Sequence, residues 1–294
     1  MSRIHIQFTL FSAFYTPLIA TMSEGFLKAE GLDADWSISP PGVSAVDALL
    51  AGDAQIIQTA PSQSFSWLAD GMDPPFRHFA QINEMDGFFL TGREPEPDFE
   101  WSALEGAEVV LFKGGQPRAM FDYACKKAGI DPSKIKAITP GGAAQMDAAF
   151  RAGDGAYVQQ QGPFPQQLEA DGIGHIVAQT GPLIGPNAFS SAAALTDWLD
   201  SEDAEAFCRA YAKTRAWINE APADEVAASI ESFFPETDRA VLATCIASYK
   251  GLGCWTPHLE ITPDALDVAM DVFAEWGTLI ERCAWDQICA PPPA

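Results

Sequence analysis

Positive charge is what this sequence has least of: 17 lysines and arginines face 40 aspartates and glutamates, a net charge of −23 over 294 residues. Phosphate contacts need clustered cations, so nucleic acid and anionic membrane surfaces are excluded as partners. No apolar run is long enough to cross a bilayer, and no membrane insertion is expected. The four histidines, His5, His78, His175 and His258, show neither H-x-x-H nor H-E-x-x-H spacing. No metal site is expected from them. P-loop, G-x-G-x-x-G and G-x-S-x-G patterns are all missing, so no cofactor and no serine nucleophile is indicated.

The cysteines are few and unpaired in pattern. Cys125, Cys208, Cys245, Cys254, Cys283 and Cys289 include no C-x-x-C, and four of the six lie in amphipathic stretches where cysteine acts as a small buried hydrophobe. That fits a reducing compartment, with a Cys283–Cys289 or Cys245–Cys254 bridge as the alternative. The opening residues "MSRIHIQFTL" have no basic-then-apolar leader. The expected location is cytoplasmic as written, or periplasmic if a leader has been removed.

What is present is a core-forming chain, 48% hydrophobic, with strands and helices in alternation. "IHIQFTL" alternates like a strand, and "YTPLIATMSEGFLKAEGL" follows with helical spacing and a stop at Gly31. "DADWSISP", "GVSAVDALLAGD", "AQIIQTAP" and "SQSFSWLADG" continue as strand, helix, strand, helix. "FRHFAQINEMDGFFLTGR" reads as one long extended segment. After the acidic connection "EPEPDFEWSALEG" a second series begins: "EVVLF" and a helix opened by Arg118, "KIKAITP" and "AAQMDAAFRAG", "GAYVQQQ" and "PFPQQLEADG", then "HIVAQTG". From about Asn187 onward the pattern is successive amphipathic helices, the last capped by Thr262 with Pro263 at its first position. This order implies parallel sheets flanked by helices, with ligands at the carboxyl ends of the strands.

The segments "EGFLKAEGLDADW", "VDALLAGDAQIIQTAP", "LEGAEVVLFKGGQPRAMFDYACKKAGIDPSKI" and "MDAAFRAGDGAYV", in that order, resemble the solute-binding family for nitrate, sulfonates and thiamine-pyrimidine precursors. The likeness runs from residue 4 to about residue 285. It implies a two-lobed type II periplasmic-binding-protein-like fold, α/β, each lobe a mostly parallel sheet flanked by helices, with a helical C-terminal tail packing on lobe 1. The implied lobes are residues 1–88 with 189–294, and 89–188. It also implies hinge closure over a small-molecule ligand in the inter-lobe cleft and, if the chain is exported, an ABC transporter permease as partner.

Four loops are expected to face that cleft. The turn "FKGGQPRAM" brings Lys113, Gly114, Gly115, Gln116 and Arg118 to a helix N-terminus, suited to an anion or a carbonyl-type acceptor. "FSAFYT" offers Ser12, Phe14 and Tyr15. "TAPSQS" offers Thr59, Ser62 and Gln63, and "QQQGPF" offers Gln160, Gln161 and Phe164. In the return passage "GPLIGPNAFSS", Phe189 completes the set. Aromatic faces with neutral amides and hydroxyls suit an organic anion or a heteroaromatic molecule. The other reading is a cytosolic enzyme on the same scaffold, acting on a small carboxylate, sulfonate or pyrimidine-like compound. No cysteine precedes Cys125, and "IIQTAPSQS" and "GPNAFSSAA" contain no Lys, His or Cys. The desulfinases and the hydroxymethylpyrimidine phosphate synthase of this fold therefore have no counterpart residues here, and no catalytic residue is assigned.

Overall fold

The computed structural model describes residues 1–40 and 42–294. Its ten strands are β1 (Ser2–Phe8), β2 (Leu32–Ile38), β3 (Ile56–Thr59), β4 (Phe76–Asn83), β5 (Phe88–Gly92), β6 (Glu108–Val110), β7 (Lys136–Ile138), β8 (Tyr157–Gln161), β9 (His175–Gln179) and β10 (Ser190–Leu195). They form two five-stranded sheets, ordered β2-β1-β3-β10-β4 and β7-β6-β8-β5-β9. In the first lobe β1 pairs parallel with β2 and β3, with Ile6 opposite both Trp36 and Ile56. In the second, β6 runs parallel to β7 and β8. Each sheet also takes one antiparallel strand through its middle, β10 in the first and β5 in the second.

These two strands depart most from the sequence reading. The segment from Phe76 to Gly92 is not one extended run. It breaks at Glu84–Gly87, so that β4 completes the first sheet and β5 starts the second. β10, "SSAAAL", falls where successive helices with few strands between them were expected. Small residues have little strand preference in isolation. Here they are buried on both sides of a central strand, a place set by tertiary packing.

Around β5 and β10 the two crossovers between the lobes are laced together. The Asp86 carboxylate accepts the Phe88 N–H at 2.7 Å and the Thr180 hydroxyl at 2.5 Å. The Asn187 N–H reaches the Glu84 carbonyl at 2.8 Å. Gly181 lies so near the Asp86 carbonyl that an added Cβ would stand 2.3 Å from it. Burial pushes the Asp86 carboxyl up to about 6, partly offset by these two hydrogen bonds.

Helices Glu202–Glu220, Ala223–Ile230, Arg239–Leu252 and Pro263–Trp276 form the C-terminal part. The longest packs on the first sheet, where Phe207 meets Phe79 and the Tyr211 hydroxyl donates to the Gln81 carbonyl. Thr262 caps helix Pro263–Trp276 through the Ala265 N–H, as its sequence implies, but Gly277, at φ of 81°, closes it before the Cys283 end read from the sequence, and a short helix, Trp285–Ile288, follows. The six cysteines are all free and five are buried, so neither alternative bridge forms.

Candidate functional site

A cavity of about 410 Å³ opens between the lobes, inside the size range of small-molecule sites. Its walls come from the carboxyl ends of strands and the helices that follow them. From the first lobe, β1 and its exit give Thr9 and Leu10, and β3 with its exit gives Gln58, Thr59 and Ala60. The first turn of helix Ser62–Ala69 adds Ser62 and Gln63. From the second lobe, Gln161 ends β8, and Gly115, Gln116 and Pro117 form the first turn of helix Gly115–Lys127. That helix begins at Gly115, earlier than the Arg118 start read from the sequence. Gly115 sits at φ of 71°, a conformation that favours glycine.

Two helix N-termini thus meet across the cleft. Neither is capped by a side chain; Gln63 and Ser64 turn their N–H groups back to the Ala60 and Pro61 carbonyls and Pro117 has none, so the Ser62, Gly115 and Gln116 N–H groups and both positive dipole ends are left at the cavity wall. The Ser62 hydroxyl donates to the Gln116 amide oxygen at 2.9 Å, and the Gln116 nitrogen donates to the Phe189 carbonyl at 2.6 Å. Gln58 uses its oxygen to accept the N–H groups of Thr9 and Leu10, both at 3.1 Å, which fixes the loop after β1.

Five aromatic side chains, Tyr15, Phe65, Phe189, Phe273 and Trp276, also line the cavity. Phe189 packs edge-on against Phe14, and Tyr15 adjoins the same ring. Burial raises the Tyr15 hydroxyl above its ordinary range; the Gln161 amide opposes this, and the Asp86 charge adds to it. Phe65, Phe273 and Trp276 close the other side. The last two come from helix Pro263–Trp276, whose amphipathic pattern signals packing but not which cleft its end covers.

Of the residues expected at the site, Tyr15, Thr59, Ser62, Gln63, Gly115, Gln116, Gln161 and Phe189 line one cavity. Ser12 lies behind it, its hydroxyl 3.3 Å from the Gln161 oxygen. Phe14 is fully buried between Phe189 and Tyr249. Gln160 points the other way, since side chains alternate along a strand, and its nitrogen reaches the Ala143 carbonyl. Phe164 starts the next helix and Gly114 precedes the first turn, and neither lines the wall. Lys113 is exposed away from it. Arg118 does not reach it either: its guanidinium pairs with Asp122 at 2.7 Å and faces a separate groove. The basic side chains expected to meet an anion are thus both outside the cavity.

A second set of contacts joins the lobes beside the cavity. The Gly162 N–H donates to the Tyr249 hydroxyl at 2.7 Å, and the Gly162 carbonyl accepts the Ala13 N–H at 3.2 Å. Lys126 of the second lobe pairs with Glu275 of helix Pro263–Trp276 at 2.7 Å. Among the described residues no group of three or more His, Cys, Asp or Glu is placed to hold a metal ion, and no helix is long and apolar enough to cross a membrane.

Two mixed sheets joined by paired crossovers, with a cavity between them, define the type II periplasmic-binding-protein architecture. Solved structures agree on the fold. The ligand-binding component of an ABC-type import system from Staphylococcus aureus, solved with zinc bound, superposes with a TM-score of 0.78 at 16% identity, over 99% of this chain and 97% of that one. The alkanesulfonate-binding protein SsuA from Xanthomonas axonopodis pv. citri, bound to MOPS, gives 0.76 at 13% identity, over 99% of each chain. In sequence, a Bacillus subtilis (strain 168) protein named "Putative binding protein YtlA" is 30% identical over 292 residues, 98% of this chain and 87% of that protein. The NMT1-like family model matches residues 106–232. The chain belongs to the NMT1-like family.

Proposed function

We propose that this protein is the substrate-binding component of an ABC-type import system, holding a small molecule between lobes made of residues 1–88 with 189–294 and of residues 89–188. The observation that carries the reading is the cavity itself, which draws on both sheets and both opposed helix N-termini and contains no pairing of nucleophile and base. The names of the S. aureus and X. axonopodis structures support a transport role, and so does that of the B. subtilis relative, which is called a binding protein. Closure is hinge rotation about the laced crossovers, with a membrane permease as the partner that reads the closed form. In that role the chain works on the outer side of the membrane.

A thermal-shift screen against sulfonates, carboxylates, nitrate, pyrimidines and flavins tests this. A ligand present at about a hundred times its Kd adds about 2.7 kcal/mol of stability, visible as a raised Tm. A hit recovered unchanged after long incubation supports binding without chemistry. A hit converted into product overturns the reading and makes the protein an enzyme.

A further inference from the structure

We infer that the cleft selects an uncharged aromatic molecule rich in hydrogen-bond acceptors and rejects anions of the same shape. This rests on the binding role proposed above and specifies its ligand.

The first argument is which polar atoms are still free. The Gln58 side chain, 4% exposed, has its oxygen occupied by two backbone N–H groups, which leaves its amide protons as the unused part. The Gln116 oxygen is taken by Ser62, and the Ser190 oxygen accepts the Asn83 amide at 2.8 Å. What remains there are donors: the Gln58 amide protons, the Gln116 amide proton not held by the Phe189 carbonyl, and the Ser190 hydroxyl, joined by the N–H groups of Ser62, Gly115 and Gln116 at the two helix starts. A ligand satisfying them must bring acceptors: carbonyl, sulfonyl or ring nitrogen. The rings of Tyr15, Phe189 and Trp276 call for an aromatic body between those acceptors.

The second argument is charge. No Asp, Glu, Lys, Arg or His lines the cavity. Behind Tyr15 stands Asp86, fully buried, with one oxygen unpartnered and the other held only by the Phe88 N–H and the Thr180 hydroxyl. Its charge reaches the Tyr15 hydroxyl. An anion drawn into this space gains the two helix dipoles but loses its hydration and meets an uncompensated carboxylate where screening is weak. Arg118 is already neutralised by Asp122, and Lys113 stays in solvent. Donors without cations favour the neutral acceptor.

Matched pairs of probes separate the two charge states at constant shape: benzamide and benzoate, nicotinamide and nicotinate, benzenesulfonamide and benzenesulfonate. Each is titrated calorimetrically into the purified full chain at neutral pH, with thermal shift as a second readout. The expected result is binding by at least one neutral member, about tenfold or more tighter than its anion. Anions binding as well as or better than their neutral partners overturn the inference and leave the binding role standing. If no probe of either charge binds, the inference falls, and the binding role stands or falls by the wider screen above.

Discussion

At Gly162 the lobes touch with no room for a side chain, and replacing it tests whether that contact holds the cleft shut. A Cβ at this position would stand 2.2 Å from Cys245 Sγ, 2.9 Å from Gln166 Oε1 and 3.1 Å from the Tyr249 hydroxyl. Cys245 is fully buried in helix Arg239–Leu252 and has little freedom to retreat. Gly162→Ala therefore overpacks the seam, at a cost of about 1–3 kcal/mol. Opening the lobes relieves the clash without unfolding either sheet, so the cost falls on closure. The readout is native-state hydrogen exchange at the amides of residue 162 and Ala13, which bond across the seam. Both should exchange about 5–150-fold faster, while amides in β1 and β6 change little. Adding Cys245→Ala removes the nearest atom and should restore most of the protection. Unchanged exchange at both amides, or acceleration spread equally over both sheets, would refute the reasoning.

Three further outcomes follow from the site and the crossovers. Asp86 binds its proton more tightly folded than unfolded, so its contribution to stability is greatest in acid and declines as pH rises from about 4 to about 6. The decline amounts to about 3 kcal/mol. Asp86→Asn should abolish that slope, measured as the difference between variant and parent in denaturant titrations across this range; parallel curves would show that the carboxyl is not perturbed. His78 is driven the opposite way, down to about 3 by burial between Ser64 and Ser191, so it adds stability as pH rises and masks the Asp86 slope in the parent. Trp276→Ala should weaken the screened ligand about tenfold, through lost ring contact and lost apolar cover, with a smaller change in Tm because the side chain is only half-buried; unaltered affinity would remove helix Pro263–Trp276 from the site. Arg118→Ala should leave affinity within about twofold and lower stability by about 0.5–1 kcal/mol through its pair with Asp122; a loss of tenfold or more would place the guanidinium on the ligand.

The sequence made the local elements legible. Gly52 ends its helix at positive φ, Thr262 caps as its spacing implies, and the turn at Gly114–Gly115 does lead into a helix whose N-terminus meets the cleft, whereas the helix read as running on to Cys283 stops at Gly277. Pairing at long range was not legible. β10 is built from serine and alanine and owes its state to neighbours more than a hundred residues away in sequence. Arg118 looked like an anion ligand because it adjoins the glycine turn, yet the helix starts earlier, and Asp122, one turn on, captures it. Gln58, Phe273 and Trp276 gave no signal because each reaches the cavity by tertiary placement, on a short buried strand or at the end of a packing helix.

The insertion of β10 between β3 and β4 also governs the order in which the molecule can be made. β4 has β10 as its one strand partner in the first sheet. When a ribosome has released Phe76–Asn83, the strand meant to lie beside it has not yet been translated, and the whole stretch from residue 84 to residue 189 must emerge first. A nascent chain therefore carries an unpaired, largely buried-type strand through the synthesis of the entire second lobe. The second sheet holds all five of its strands within that interval and can fold ahead. The first begins the chain but finishes after it, leaving an open edge for chaperones to shield while translation proceeds.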